Sequence, residues 1–281
     1  MSAALPPDEI TDALRATGAR DDAAIDLAET ALLLAALDRP AGALGPYREH
    51  LAALARDVGA AVPPGAARNV ARQARALAEV IAGRHRYAGD TLTYDDPQNA
   101  NLMRVIDRRK GLPVALAILY IQAARAQGWK ATGINFPGHF LIRLEGGGAR
   151  VILDPFNGGV ERDVSDLRDL LKQMAGLDAE LQPGHYEPIG NRDTLIRLLN
   201  NVRLRAQSAG EDGRVAELLD RMLLVAPDEL GLLREAGACH ARLGNLRRAG
   251  EALESFIART ADVAGRREAE ALLRRVRSRL N

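Results

Sequence analysis

One cysteine, Cys239, stands in a chain of 281 residues, so no internal disulfide can form and the sequence fits a reducing compartment. Lysine is nearly as scarce, with Lys110, Lys130 and Lys172 alone, and arginine carries the remaining positive charge. The net charge is only +1, so nothing in the balance points to an electrostatically held nucleic acid. No charge-free apolar run reaches the roughly 18–20 residues of a membrane-spanning helix. The opening residues carry acids early and no basic stretch, unlike a signal peptide. The expectation is a soluble cytoplasmic protein with no membrane partner. Its 47% hydrophobic content is enough to bury a core, in one large domain or two smaller ones.

What the chain does contain is helix first. Pro6-Pro7-Asp8 can start a small helix bearing Ile10 and Leu14, and Asp21-Asp22 a stronger one bearing Ile25, Ala28, Leu32 and Ala35, stopped at Arg39-Pro40. Two more are expected, at about 46–58 and, after Val62-Pro63-Pro64-Gly65, up to about Ala82. From His85 the Gly, Asp, Asn and Pro punctuation predicts a loop with turns, then a short helix over 101–109. The 17 residues from Leu112 to Gly128 contain no acid and place Pro113 in a first turn, where its missing N–H loses nothing. A helix apolar nearly all round belongs in the core, so this is the expected central helix.

Alternation predicts three strands, over 132–135, 140–144 and 150–153, the last two joined by a turn at Glu145-Gly146-Gly147-Gly148. Helix returns over 165–174 and, beyond the linker Gln182-Pro183-Gly184, runs to the end. Val215 and Ala249, Leu219 and Leu253, and Asp228 and Asp262 recur at a spacing of 34, the period of tetratricopeptide helix pairs. The expected fold class is α+β: helices packed on a small antiparallel sheet over 1–182, followed by an all-α repeat domain over 186–281.

Gly111-x-Pro113, then Arg125 and Gly128, then His139, then Asp154-Pro155 resembles the transglutaminase-like core. Tyr94-Asp95-Asp96-Pro97, Asn99, Arg108 to Pro113, Pro137-Gly138-His139-Phe140 and Asp154 to Gly159 look more closely like its SirB-type branch. The resemblance covers about residues 22–260. It implies tetratricopeptide helices after the core, with Asn191 to Asn201 as the helix between them. It also implies a thiolate at a helix N-terminus that attacks an acyl carbon, a histidine that moves the proton, and an aspartate that orients the imidazole. His139 and Asp154 match the last two roles. Pro113 stands in the cysteine position, and Cys239 lies 126 positions later in a stretch that reads as a packed repeat helix.

The preferred function is therefore a non-catalytic transglutaminase-like protein that binds a protein or peptide as a regulatory scaffold. The alternative is a hydrolase or acyl-transfer enzyme that uses the His139–Asp154 dyad without a cysteine. An open cleft around His139 would favour the enzyme, and a ring buried against Asp154 would favour the binding protein. The candidate binding residues are Tyr94, Asp96, Asn99, Asn101, His139, Asp154 and Asn157, although asparagines after Asp-Pro also serve to satisfy turn backbone. His85, Asp95, Asp96, His139 and Asp154 show no metal-ligand spacing, so no metal or cofactor is expected. Gly146-Gly147-Gly148 lacks a following Lys-Ser/Thr and reads as a hairpin turn. The arginines from Arg266 to Arg279 alternate with Leu272, Leu273, Val276 and Leu280, which is the pattern of an amphipathic helix with a solvated basic face.

Overall fold

The structure, a computed structural model, describes residues 5–63 and 69–280. The expected break at Pro64-Gly65 lies outside the described residues. Two compact units are formed, one by the described residues of Met1–Ala13 and Arg20–Leu198, the other by Leu14–Ala19 and the described residues of Leu199–Asn281.

Helix α1 (Pro7–Gly18) belongs to the first unit up to Ala13, with Ile10 buried there. Helix α2 (Leu27–Ala36) starts later than Asp21-Asp22, because Asp26 is the side chain that accepts from the Glu29 N–H and caps it. Asp21-Asp22 opens only a short 3-10 turn, and the Asp22 carboxylate is used elsewhere, as described below. Helix α3 (Gly45–Ala61) is followed by α4 (Val70–Leu77), which is capped by Asn69 and continues as a π-helical stretch, Ala78–Arg84. That wider turn ends with the His85 N–H on the Val80 carbonyl, five residues back, and turns His85 and Tyr87 toward α3.

The expected loop after His85 contains β1 (Ala88–Gly89), which pairs in parallel with β2 (Lys110–Gly111). Between them lies α5 (Leu102–Arg108), capped by Asn101 and ended by Arg109 in the left-handed region at φ 59°. Helix α6 (Pro113–Arg125) is the core element, with every residue from Pro113 to Ile121 buried, and Gly128 ends the turn after it at φ 74°.

Strands β3 (Lys130–Ile134), β4 (Leu141–Gly146), β5 (Ala149–Asp154), β6 (Val160–Glu161) and β7 (Pro188–Ile189) form one antiparallel sheet in the order β6-β5-β4-β3-β7. Gly147 and Gly148, at φ 60° and 79°, make the two-residue β4–β5 turn. One sheet face, with Ala131, Ile142, Leu144 and Leu153, packs toward α4 and α6. Helix α7 (Val164–Ala175) closes part of the other with Leu167, Leu170 and Leu171 over Ile134 and Leu141. It begins with a reciprocal cap between Asp163 and Asp166.

Helix α8 (Asn191–Ser208) contains the division between the units. Its first backbone N–H groups, of Asn191 and Arg192, donate to the Asp22 carboxylate at 2.9 and 2.8 Å, and the Asn191 side chain accepts from Arg125 at 2.7 Å. The sequence break at 182–186 therefore precedes the last pieces of this unit, β7 and the first turns of α8, where Leu195 and Leu198 are buried.

The second unit holds α9 (Asp212–Val225), α10 (Leu230–Leu243), α11 (Leu246–Arg259) and α12 (Val263–Leu280), each packed on the next. Val215 and Leu219 of α9 and their counterparts Ala249 and Leu253 of α11 are all buried, so the 34-residue repeat is a repeat of core positions. No helix among the described residues is long and apolar enough to cross a membrane.

Candidate functional site

His139 lies just before β4, as the expected strand over 140–144 implies. Gly138, at φ 70°, turns the chain after Pro137, and the His139 N–H donates to the Phe136 carbonyl at 3.0 Å, so β4 begins only at Leu141. The ring is 5% exposed, and its Nε2 lies 2.9 Å from Oδ1 of Asp154, which closes β5 and is fully buried. Asp154 has further partners. Asn157 donates its side-chain amide to Oδ2 at 2.8 Å, and Arg162 donates to the same oxygen through Nη2 at 2.9 Å and Nε at 3.2 Å. Burial pushes this carboxyl up, but the hydrogen bonds from His139, Asn157 and Arg162 outweigh it and hold it at about 2. Arg162 thus shares the Asp154 carboxylate with His139, each on its own oxygen.

Phe156 covers the pair. Its ring stands edge-on to His139 at 5.9 Å and to Tyr94 at 5.8 Å, and Tyr94 is 38% exposed. A Cβ at Gly89 would come within 2.5 Å of the Phe156 ring, so β1 can lie there only as glycine. The Tyr120 hydroxyl of α6 is buried with no hydrogen-bond partner among the described residues, against Gly159. Burial, and then the charge of Asp154, raise the pKa of Tyr120.

Pro113 is buried at the first position of α6. The approach to it is set by a polar network: Arg108 donates to Asn99 at 2.8 Å and to Asp90 at 2.7 Å, and the Asn99 amide donates to the Thr93 carbonyl at 2.6 Å. Asp90 also accepts from the Thr93 hydroxyl and the Thr93 and Leu92 N–H groups, and the Thr93 hydrogen bond first of all holds its carboxyl well below the usual range. Asn101 donates to the Ala35 carbonyl at 2.9 Å, and Asp96 accepts from the Gln98 N–H at 2.8 Å. Of the candidate binding residues, then, His139, Asp154 and Asn157 form one hydrogen-bonded group, and Tyr94 joins it through Phe156. Asp96, Asn99 and Asn101 shape the backbone of the preceding loop. Asp90 and Arg162 carry no motif of their own, whereas Phe156 lies within the Asp154 to Gly159 run without having been singled out there. Only the Asp90-x-x-Thr93 spacing, that of a side-chain turn cap, could have pointed to one of the first two.

The remaining candidates lie elsewhere. His85 bonds Asp57 at 2.7 Å and meets the His50 ring at 5.7 Å. Arg109 donates to Nε2 of His50 at 2.6 Å and to the Tyr87 hydroxyl, so His50 Nε2 is an acceptor and its proton sits on Nδ1. Burial, then the charges of Arg109 and His85, lower the pKa of His50 to about 4. Cys239 is buried in α10, where burial raises its thiol. Among the described residues no group of three or more His, Cys, Asp or Glu side chains is placed to hold a metal ion.

Comparison with known proteins agrees with this layout. The sequence profile of the transglutaminase-like superfamily matches residues 46–200, and a tetratricopeptide repeat profile matches residues 202–281. A UPF0162 protein of Xylella fastidiosa is 34% identical over 162 residues, which cover 57% of this chain and 58% of that protein. The match thus spans a little over half the length of that relative. A UPF0162 protein of Pseudomonas aeruginosa is 30% identical over 201 residues, 72% of each chain. F-box only protein 21 of Mus musculus is 26% identical over 180 residues, 60% of this chain but 28% of its own length.

Proposed function

Since this chain belongs to the transglutaminase-like superfamily, and its core ends in tetratricopeptide helices, we propose that it is a non-catalytic member that holds a protein or peptide partner. The observation that carries this reading is the N-terminus of α6. A buried proline there offers neither a thiolate nor a backbone N–H to an oxyanion. The histidine pair speaks the same way: Nε2 of His139 is committed to an Asp154 that Arg162 shares, and the ring is nearly closed to solvent. A water-using hydrolase would need that imidazole open to substrate. Stacked helix pairs, by contrast, commonly present a concave surface to a partner. Tyr94 and Asn157, beside the covered pair, are the exposed groups through which the core can contribute. The one buried, unpaired cysteine fits a reducing compartment such as the cytoplasm.

The test uses the full chain as bait in crosslinking copurification, beside acylation by a thiol-directed ester probe. A partner should be retained, and Cys239 should be labelled no faster in the native chain than in the denatured one. Rapid labelling that disappears with His139→Ala, or His139-dependent hydrolysis of the probe, would overturn the reading.

A further inference from the structure

The sheet face that α7 covers only in part has a second, charged half. Lys130 stands opposite Glu145, Glu145 opposite Arg150, and Arg143 opposite Ile152. Opposed residues share a face, so three cations surround one carboxylate beside the β4–β5 turn. Lys130 and Arg143 both donate to Glu145. Nε of Arg143 is nevertheless buried with no acceptor among the described residues, a donor that calls for one. Arg150 is exposed and lies over the Tyr186 ring, 5.9 Å from its centre. A hollow of about 570 Å³ is lined by Lys130, Arg143, Glu145 and Arg150. A second, of about 510 Å³, runs from Arg150 past Ile152 to Leu167 and Tyr186, with Glu161, Arg162, Asp163 and Asp166 along its far side, so the cationic excess is confined to the half beside the β4–β5 turn.

The edge of the sheet at the same place is open. Strand β6 has two residues and pairs only with Leu153 and Asp154, and the Arg162 N–H on the Ile152 carbonyl, at 2.9 Å, ends the ladder. Since backbone groups alternate along a strand, the N–H and C=O of Arg150, two residues before Ile152, also face away from β4. No strand among the described residues pairs with them.

We propose that this edge binds an extended acidic peptide. Its backbone adds a short strand opposite Arg150, and its glutamate or aspartate side chains lie on the face where Lys130, Arg143 and Arg150 outnumber Glu145. Main-chain pairing supplies affinity and the alternate side chains supply selectivity. The inference rests on the partner-holding reading above and assigns that partner a place and a chemistry.

The probe is an acetylated, amidated peptide alternating glutamate and valine, titrated into the full chain while amide signals are followed by NMR. The Arg150 amide should shift and become protected from exchange. Glutamine in place of glutamate should weaken binding about tenfold, as should Arg150→Gln, the loss expected for one charge-assisted contact. N-methylation of one alternate set of peptide amides should abolish binding, and of the other set should leave it. The proposal fails if millimolar peptide leaves residues 149–152 unmoved, or if both N-methylated sets bind alike. It also fails if an oligothymidylate of equal charge moves the same signals as strongly, or if a second copy of the chain protects them without peptide. A copurified partner held equally by the Arg150→Gln chain would sink this inference and leave the scaffold reading standing. Peptide binding here with no partner copurified would do the reverse.

Discussion

At the scale of single residues, Asp154 is fully buried and held by His139, Asn157 and Arg162. Asp154→Ala leaves an imidazole N–H and a guanidinium facing a cavity without an acceptor. Breaking a buried pair from one side costs about 3–5 kcal/mol, a large part of the roughly 5–15 kcal/mol that holds a domain together. The melting temperature should fall well below that of the parent, and adding Arg162→Leu should restore part of the loss. If Asp154→Ala melts no lower while a bound partner is lost, the pair serves recognition and not stability.

His50 gives a second expectation, in pH. Its folded-state pKa, about 4, lies below the ordinary 6.5, so the unfolded chain takes up its proton first as pH falls. The stability from neutral His50 is whole above pH 6.5 and declines as pH drops toward 4. Asp154, held at about 2 against an ordinary 3.8, extends the decline below pH 4. Thermal melts between pH 7 and 4 should show a slope in the parent that flattens in His50→Gln, which keeps an acceptor for Arg109. Equal slopes in the two proteins would place the titration elsewhere.

At the scale of elements, what could be read in advance was what periodicity encodes. The apolar segment after Leu112 is the core helix α6, Gly147 and Gly148 of the glycine run make the β4–β5 turn, and the apolar pairs of the 34-residue recurrence mark buried helix positions. Elements built by distant partners left no local pattern. Strands β6 and β7 are two residues each and exist through pairing with β5 and β3, and β1 meets β2 across the intervening residues 90–109. The start of α2 was misplaced because Asp21-Asp22 and Asp26 are equally good caps in sequence, and only the fold assigns Asp22 to α8. The site divided the same way. His139 and Asp154 stood in a motif, whereas Arg162 is one arginine among many until the chain folds it onto Asp154.

At the scale of the whole molecule, the first unit ends at Leu198, beyond the Gln182-Pro183-Gly184 linker. A fragment cut after residue 182 lacks β7, leaving β3 as a bare edge, and takes from Asp22 and Arg125 their partners on α8. Fragments ending at 182 and at 200 should therefore differ: the longer should melt cooperatively, and the shorter should melt lower or aggregate. Equal, cooperative melts would show that β7 and the start of α8 contribute little.

The contact of Asp22 with Asn191 also sets a timetable. Its two sides lie 169 residues apart in the chain. At about 5–20 residues per second, a ribosome delivers the second roughly 8–34 s after the first. Until then the Asp22 carboxylate lacks the Asn191 and Arg192 N–H donors, and the nascent helices ahead of α6 must remain soluble without the contact that closes the unit.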